Sequence, residues 1–351
     1  MLIITIIAIS ILILVHEWGH FFAARRLGVR VEEFGFGFPP RIYSRIKNGV
    51  RYSLNALPFG GFVKIFGERG EGAGDTTSFI SHPVWQRAVI LAAGIGMNIA
   101  AAWVLFGAAS AIGVPRLTDD RGAPVSVLGV IPGSPAEQAG LKLGDQILEL
   151  RGPEVSLRVE KEGDIGTFAN AYRGEEITLV IMRRGSITRI SITPRIASPA
   201  GEGPLGIAIG RLSIERTSWW RAPAAGFSSL TQSIGAIAGG LWALTRDLAS
   251  SGRVSGDISG PVGILLFARD SGALGAAYFL QFIGVLSVNL AVLNVLPIPA
   301  LDGGRLLFLV LEKIKGRRIS PRLEDAAHTA GFVLLVILMI AITYRDIARL
   351  W

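Results

Sequence analysis

Residues 2–24 read LIITIIAISILILVHEWGHFFAA, an apolar run that closes on His16-Glu17-Trp18-Gly19-His20. A bilayer core takes about 20 apolar helical residues, so the run is long enough to cross it. No basic region precedes it and no small-residue cleavage site follows, so it reads as a span rather than a removable signal peptide. On a helix, positions i and i+4 project from one face, which lets both imidazoles reach one ion with Glu17 beside them. Ionisable residues at the inner end of an apolar span are expensive without a function.

Composition points the same way. The 351 residues are 50% hydrophobic and 18% charged, with mean hydropathy +0.48, against about 25% charged in an ordinary soluble domain. The absence of cysteine excludes disulfides, thiolate zinc clusters, iron–sulfur sites and thiol nucleophiles. Any metal is left to His and carboxylate. The net charge of +8 and pI near 10.2 fit basic loops beside apolar spans, and no nucleic-acid partner is expected.

Four spans are expected, at 1–24, 88–115, 271–301 and 326–351. Ten Lys and Arg fall in 25–87 and six in 303–329, which puts both loops in the cytoplasm and the long segment between the second and third spans outside. Loop 25–87 mixes alternation with aromatics and glycine at 31–38 and 50–65. It reads as a β hairpin or re-entrant strands, with an edge able to take an extended peptide. Segment 116–212 reads as a small α+β domain with strands at 125–130, 146–150, 176–182 and 188–193 and a short helix at 134–139. Segment 213–270 is a linker whose stretch 219–248 is expected either as an amphipathic helix on the membrane surface or as a linker helix packing on the third span. Residues 302–325 form a cytoplasmic link. The fold class is a mainly α polytopic membrane protein with about four transmembrane helices, a membrane-associated β hairpin or sheet and one extracytoplasmic α+β domain.

A catalytic zinc takes three protein ligands and keeps a position for water. His82, His328 and loop carboxylates are possible third ligands, and Asp302 is the better one. It follows Asn294-Val-Leu-Pro-Ile-Pro-Ala-Leu, where Pro297 and Pro299 break the helix and Gly303 and Gly304 permit a tight turn. A broken helix at membrane depth is tolerated where it lines a site or cavity. The first span enters from outside and the third leaves inward, so His16, His20 and Asp302 share one leaflet. Zinc at such a site lowers the pKa of its bound water toward about 7 and polarises a carbonyl. Glu17 would take the water's proton as general base and pass it to a leaving amine. Peptide hydrolysis fits this arrangement best.

These residues resemble the site-2 proteases, the zinc intramembrane metalloproteases, and within them the bacterial regulator-of-sigma-E branch. Besides HEWGHF from His16, the resemblance rests on Gly94-Ile-Gly-Met-Asn98, Leu57-Pro-Phe-Gly-Gly-Phe-Val-Lys64, Ser259-Gly-Pro-Val-Gly263 and the Asn289, Asn294, Pro297, Pro299 and Asp302-Gly-Gly signature. The stretch Val130-Ile-Pro-Gly-Ser-Pro-Ala-Glu-Gln-Ala-Gly-Leu-Lys-Leu-Gly-Asp145 is similar to the core of a PDZ domain. The resemblance implies zinc held by His16, His20 and Asp302, Glu17 as catalytic base, and substrate binding by Asn289, Asn294, Pro297 and Pro299, with the two Asn side chains on the substrate backbone. It assigns Gly94 and Asn98 no catalytic role. It also implies a transmembrane protein as substrate, lipid around the chain, a peptide or C-terminus at the PDZ domain, and residence in a bacterial inner membrane with that domain outside. One departure is a single PDZ-like core where some members carry two.

Two other classes share parts of this pattern. A catalytically silent PDZ adaptor with structural zinc has no use for Glu17. A zinc transporter requires polar residues along several spans rather than one cluster.

Overall fold

The computed structural model describes residues 2–183, 185–199, 201–252 and 260–348. Ser259 of the Ser259-Gly-Pro-Val-Gly263 motif lies outside these described residues. The chain forms two units, Met1–Ile112 with Thr217–Trp351, and Gly113–Arg216. In chain order the elements are α1 (Leu2–Arg26), β1 (Val31–Lys47), β2 (Val50–Ile65) and α2 (Val84–Ile112), then β3 (Val114–Leu117), β4 (Val125–Val130), α3 (Pro135–Gln138), β5 (Gln146–Arg151), β6 (Ser156–Arg158), α4 (Glu162–Ala171), β7 (Ile177–Arg183), β8 (Ser186–Ile192) and β9 (Ile207–Glu215). The first unit resumes with α5 (Ala222–Ser251), α6 (Pro261–Leu274), α7 (Ala276–Val295), α8 (Asp302–Lys315) and α9 (Pro321–Ala348).

Among the described residues four helices are long and apolar enough to cross a membrane: α1, α2, α7 and the Arg322–Ala348 part of α9. Their burial is inverted relative to a soluble bundle. In α1 the buried face carries Thr5, Ser10, His16, Gly19 and His20, while Ile3, Ile7, Ile11 and Phe22 are exposed. Such a helix is stable only where its outer face meets hydrocarbon. Small residues then set the helix spacing. A Cβ on Gly19 would sit 2.4 Å from the Ala93 carbonyl oxygen of α2, and one on Gly226 of α5 would sit 2.7 Å from the Gly107 nitrogen.

The expected third span is two helices. Residues 271–301 carry no charge, so hydropathy reads them as one run, but the chain breaks at Gly275, whose φ of 124° favours glycine. The expected surface helix runs from Ala222 to Ser251, and Leu230, Ile234 and Ile237 pack on Ala102, Phe106 and Val288 of α2 and α7.

β1 and β2 pair antiparallel around Asn48-Gly49, both at positive φ, as a two-residue hairpin turn requires. β1 continues past the expected 38 to Lys47. The returning strand runs beside α1: Ser10 Oγ donates to the Pro58 carbonyl oxygen (2.7 Å), and Gly60 and Gly61 lie against Ile13 and Leu14.

In the second unit the strands are ordered β3-β9-β4-β5-β7-β8, with β6 on β5, all antiparallel. The expected strands and the helix capped by Ser134 are present. Sequence reasoning missed β3, β6, α4 and β9. The last of these fills an interior place in the sheet although Gly210 and Arg211 interrupt its apolar alternation. Val127, Ile147, Leu150, Ile165, Leu179 and Ile181 centre the core. Buried Asp145 accepts from Arg183 Nε (2.7 Å) and Nη2 (2.6 Å) and from the Lys142 amide (2.8 Å). The carboxylate holds the Arg183 guanidinium above its ordinary pKa. Removing one partner of a buried pair strands the other, so Arg183→Ala should destabilise this unit by about 3 kcal/mol. Pulse proteolysis in urea, read at cleavage within 113–216 of the full chain, checks this; an unmoved midpoint would refute the pairing's role.

Candidate metal centre

α1 presents His16 and His20 on one face because four residues advance slightly more than one helical turn. α7 ends at Val295, the bend 296–301 follows, and Asp302 opens α8. The bend brings Asp302 Oδ2 to 3.0 Å from His16 Nε2 and 3.2 Å from His20 Nε2, with the two Nε2 atoms 3.2 Å apart. A tetrahedral zinc with bonds of about 2.0–2.1 Å has ligand-to-ligand edges of about 3.3–3.4 Å, close to this triangle. Asp302 Oδ2 is buried, and among the described residues no hydrogen is donated to it in good geometry. Three lone-pair donors converging in that state fit a divalent cation, and two nitrogens with one carboxylate oxygen suit zinc. Among the described residues this is the only His/Asp/Glu group so arranged.

α2 supplies the floor and the outer hydrogen bonds. His20 Nδ1 donates to the Ile90 carbonyl oxygen (2.8 Å), which leaves Nε2 as the lone-pair end. His16 Nδ1 faces the Asn98 carboxamide at 3.2 Å. With the amide oxygen turned to Nδ1–H, the buried Asn98 Oδ1, which has no other partner among the described residues, is satisfied and His16 Nε2 also presents its lone pair to the centre. Gly94 is the gap beneath both rings: a Cβ there would lie 2.4 Å from His20 Nε2 and 2.8 Å from His16 Cε1. Gly94 and Asn98 had no assigned chemistry in the sequence reading. Their signal was the i, i+4 spacing shared with His16 and His20.

Glu17 is held by β2, where the Val63 N–H donates to its Oε2 (3.0 Å). Beside it opens a cavity of about 430 Å³ lined by His20, Phe62, Val63, Asp302 and Arg305. Arg305 forms an ion pair with Glu68 at the cavity wall.

The remaining candidates lie elsewhere. His82 bonds Gln86 Oε1 (2.7 Å), and His328 Nδ1 accepts from the Ala300 N–H (2.8 Å), so neither joins the triangle. Asn289 and Asn294 lie on α7 and Pro297 and Pro299 in the bend. No hydrogen bond among the described residues ties either Asn side chain to the three ligands.

An apolar helical unit with a buried His, His, Asp centre and an adjacent carboxylate has the architecture of a membrane metallopeptidase. The family model described as Peptidase family M50 matches residues 4–338, and the chain belongs to that family. It is 33% identical to a candidate zinc metalloprotease of Clostridium perfringens, over 99% of this chain and 98% of that protein. It is 30% identical to the regulator of sigma-E protease RseP of Salmonella typhimurium, over 98% of each. A candidate zinc metalloprotease of Clostridium acetobutylicum is 31% identical over 99% of this chain and 97% of its own length. The protein is a zinc-dependent metallopeptidase of the site-2 protease family and a multi-pass membrane protein, as the motif residues implied.

Gly94→Ala should weaken zinc binding by roughly tenfold or more, because the added methyl displaces both rings. Metal analysis of the purified protein after dialysis against a graded chelator checks it, and wild-type retention would disprove the packing argument.

Proposed function

We propose that the protein is an intramembrane endopeptidase that cuts transmembrane segments of single-span proteins near the cytoplasmic side, after another protease has removed most of the outer domain. Anti-sigma factors and remnant signal peptides are the substrate classes. The observation that carries the reading is the His16–His20–Asp302 triangle with Glu17 and the β2 segment around Val63 beside it.

His16, His20 and Asp302 hold the zinc, and Glu17 is the base. When bound, zinc polarises the scissile carbonyl and lowers the pKa of water toward about 7. Glu17 takes a proton from the attacking water and gives it to the leaving nitrogen, while the Val63 N–H keeps its carboxylate in place. A helical substrate hides its carbonyls in its own hydrogen bonds, so some turns must open first. Asn289 and Asn294 offer donors and acceptors to the opened backbone, and Pro297 and Pro299 keep the adjoining protease segment unwound. The peptide lies extended along β2 in the cavity of about 430 Å³.

Unit Gly113–Arg216 is a PDZ-like domain that lies outside a bacterial inner membrane and screens bulky substrate ectodomains. Its single sheet and core support one such module. The alignment to the Salmonella protein extends over 447 positions against 351 residues here, which fits a relative with additional sequence.

Glu17→Gln should abolish cleavage of a model transmembrane substrate in membranes while zinc content stays at the wild-type level. Undiminished cleavage by that variant would overturn the assignment.

A further inference from the structure

The bend that delivers Asp302 holds a backbone conformation its sequence does not favour. Ala300 has φ 81°, and Asn48 in the hairpin turn is the other described non-glycine residue at positive φ. Asparagine before glycine is ordinary in such a turn, whereas alanine meets a steric penalty in the left-handed region and has no side chain to offset it. A strained residue persists where its surroundings over-determine it.

Four residues around the bend supply that constraint. The Ala300 N–H donates to His328 Nδ1 of α9 at 2.8 Å. Since Nδ1 accepts, the ring is neutral with its proton on Nε2. The Phe308 ring of α8 packs against His328 with centroids 5.7 Å apart. Three residues on, Gly331 lets α9 press onto the bend, where a Cβ would lie 2.4 Å from the Pro299 carbonyl oxygen. From the other side Gly304 closes on the bend, its Cβ position 2.4 Å from the Ile298 carbonyl oxygen. Only Leu301 separates Ala300 from Asp302.

We propose that His328 is a positioning residue for the metal centre: by accepting from Ala300 it latches the bend to α9 and aims Asp302 at His16 and His20. The inference rests on the reading of those three as zinc ligands. It makes the fourth span part of the metal site without touching the metal, so zinc affinity and the seating of α9 are coupled.

The test is zinc affinity of the full-length protein in detergent, measured by competition with a chromogenic chelator. His328→Leu should bind zinc roughly ten- to a hundredfold more weakly, the usual range for loss of an outer hydrogen bond. His328→Asn places an amide oxygen where Nδ1 stood and should stay close to wild type. Ala300→Gly accepts the left-handed conformation without help, so it should recover most of the loss in the His328→Leu background. Asp302→Ala is the control for the site itself. If it binds zinc like wild type, the ligand assignment is wrong. If it loses zinc while His328→Leu does not, the latch alone is refuted. If His328→Asn is as weak as His328→Leu and Ala300→Gly restores neither, the ring acts by packing and the latch is likewise refuted.

Discussion

Ionisable groups within an apolar layer are tolerated where a partner or a metal satisfies them: His16, His20 and Asp302 converge on one point that a divalent cation fits, and Glu17 accepts from the Val63 N–H. Much of the surrounding structure follows. α1 must approach α2 closely enough for Ile90 and Asn98 to reach the imidazoles, which explains glycine at 19 and 94. α7 must stop short of α8 so that a carboxylate from the next segment can turn back, which explains Pro297, Pro299 and the paired glycines after Asp302. β2 must run beside α1 so that a main-chain N–H fixes Glu17.

The same constraint sets how the helices pack. With hydrocarbon outside, no hydrophobic gain separates helix contact from lipid contact, so close fit and hydrogen bonds decide which faces meet. Polar and small residues therefore turn inward: Ser287 Oγ donates to the Asn98 carbonyl oxygen (2.8 Å), and Gly226 sits against Gly107. In the first turn of α2, buried Arg87 donates to both carboxylate oxygens of Glu312 (3.1 and 2.6 Å), a pair formed between helices that are distant in sequence. The second unit follows the opposite rule, with aliphatic residues in its core and the buried carboxylate of Asp145 paired to Arg183.

How much was legible varied with the range of the interaction. The four apolar runs, the hairpin and most strands of the second unit could be read because they depend on local composition and period. The break at Gly275 could not, since a glycine leaves hydropathy unchanged. β9 was overlooked because its place depends on the pairing of residues 207–215 with 125–130, across a long sequence separation. At the centre, the four-residue spacing of His16 and His20 announced itself, while Asn98 and Gly94 looked like packing residues until their contacts with the rings were visible.

By itself the sequence determined which residues can ligate and where chain breaks fall, because helical period, proline geometry and the expense of charge in hydrocarbon are local rules. Only the tertiary structure decided that Asp302, and neither His82 nor His328, closes the triangle, and that His328 serves the bend instead. That choice depends on how α8 and α9 pack around residues 296–301. Packing is a sum of contacts between segments far apart in the chain, which no local pattern records.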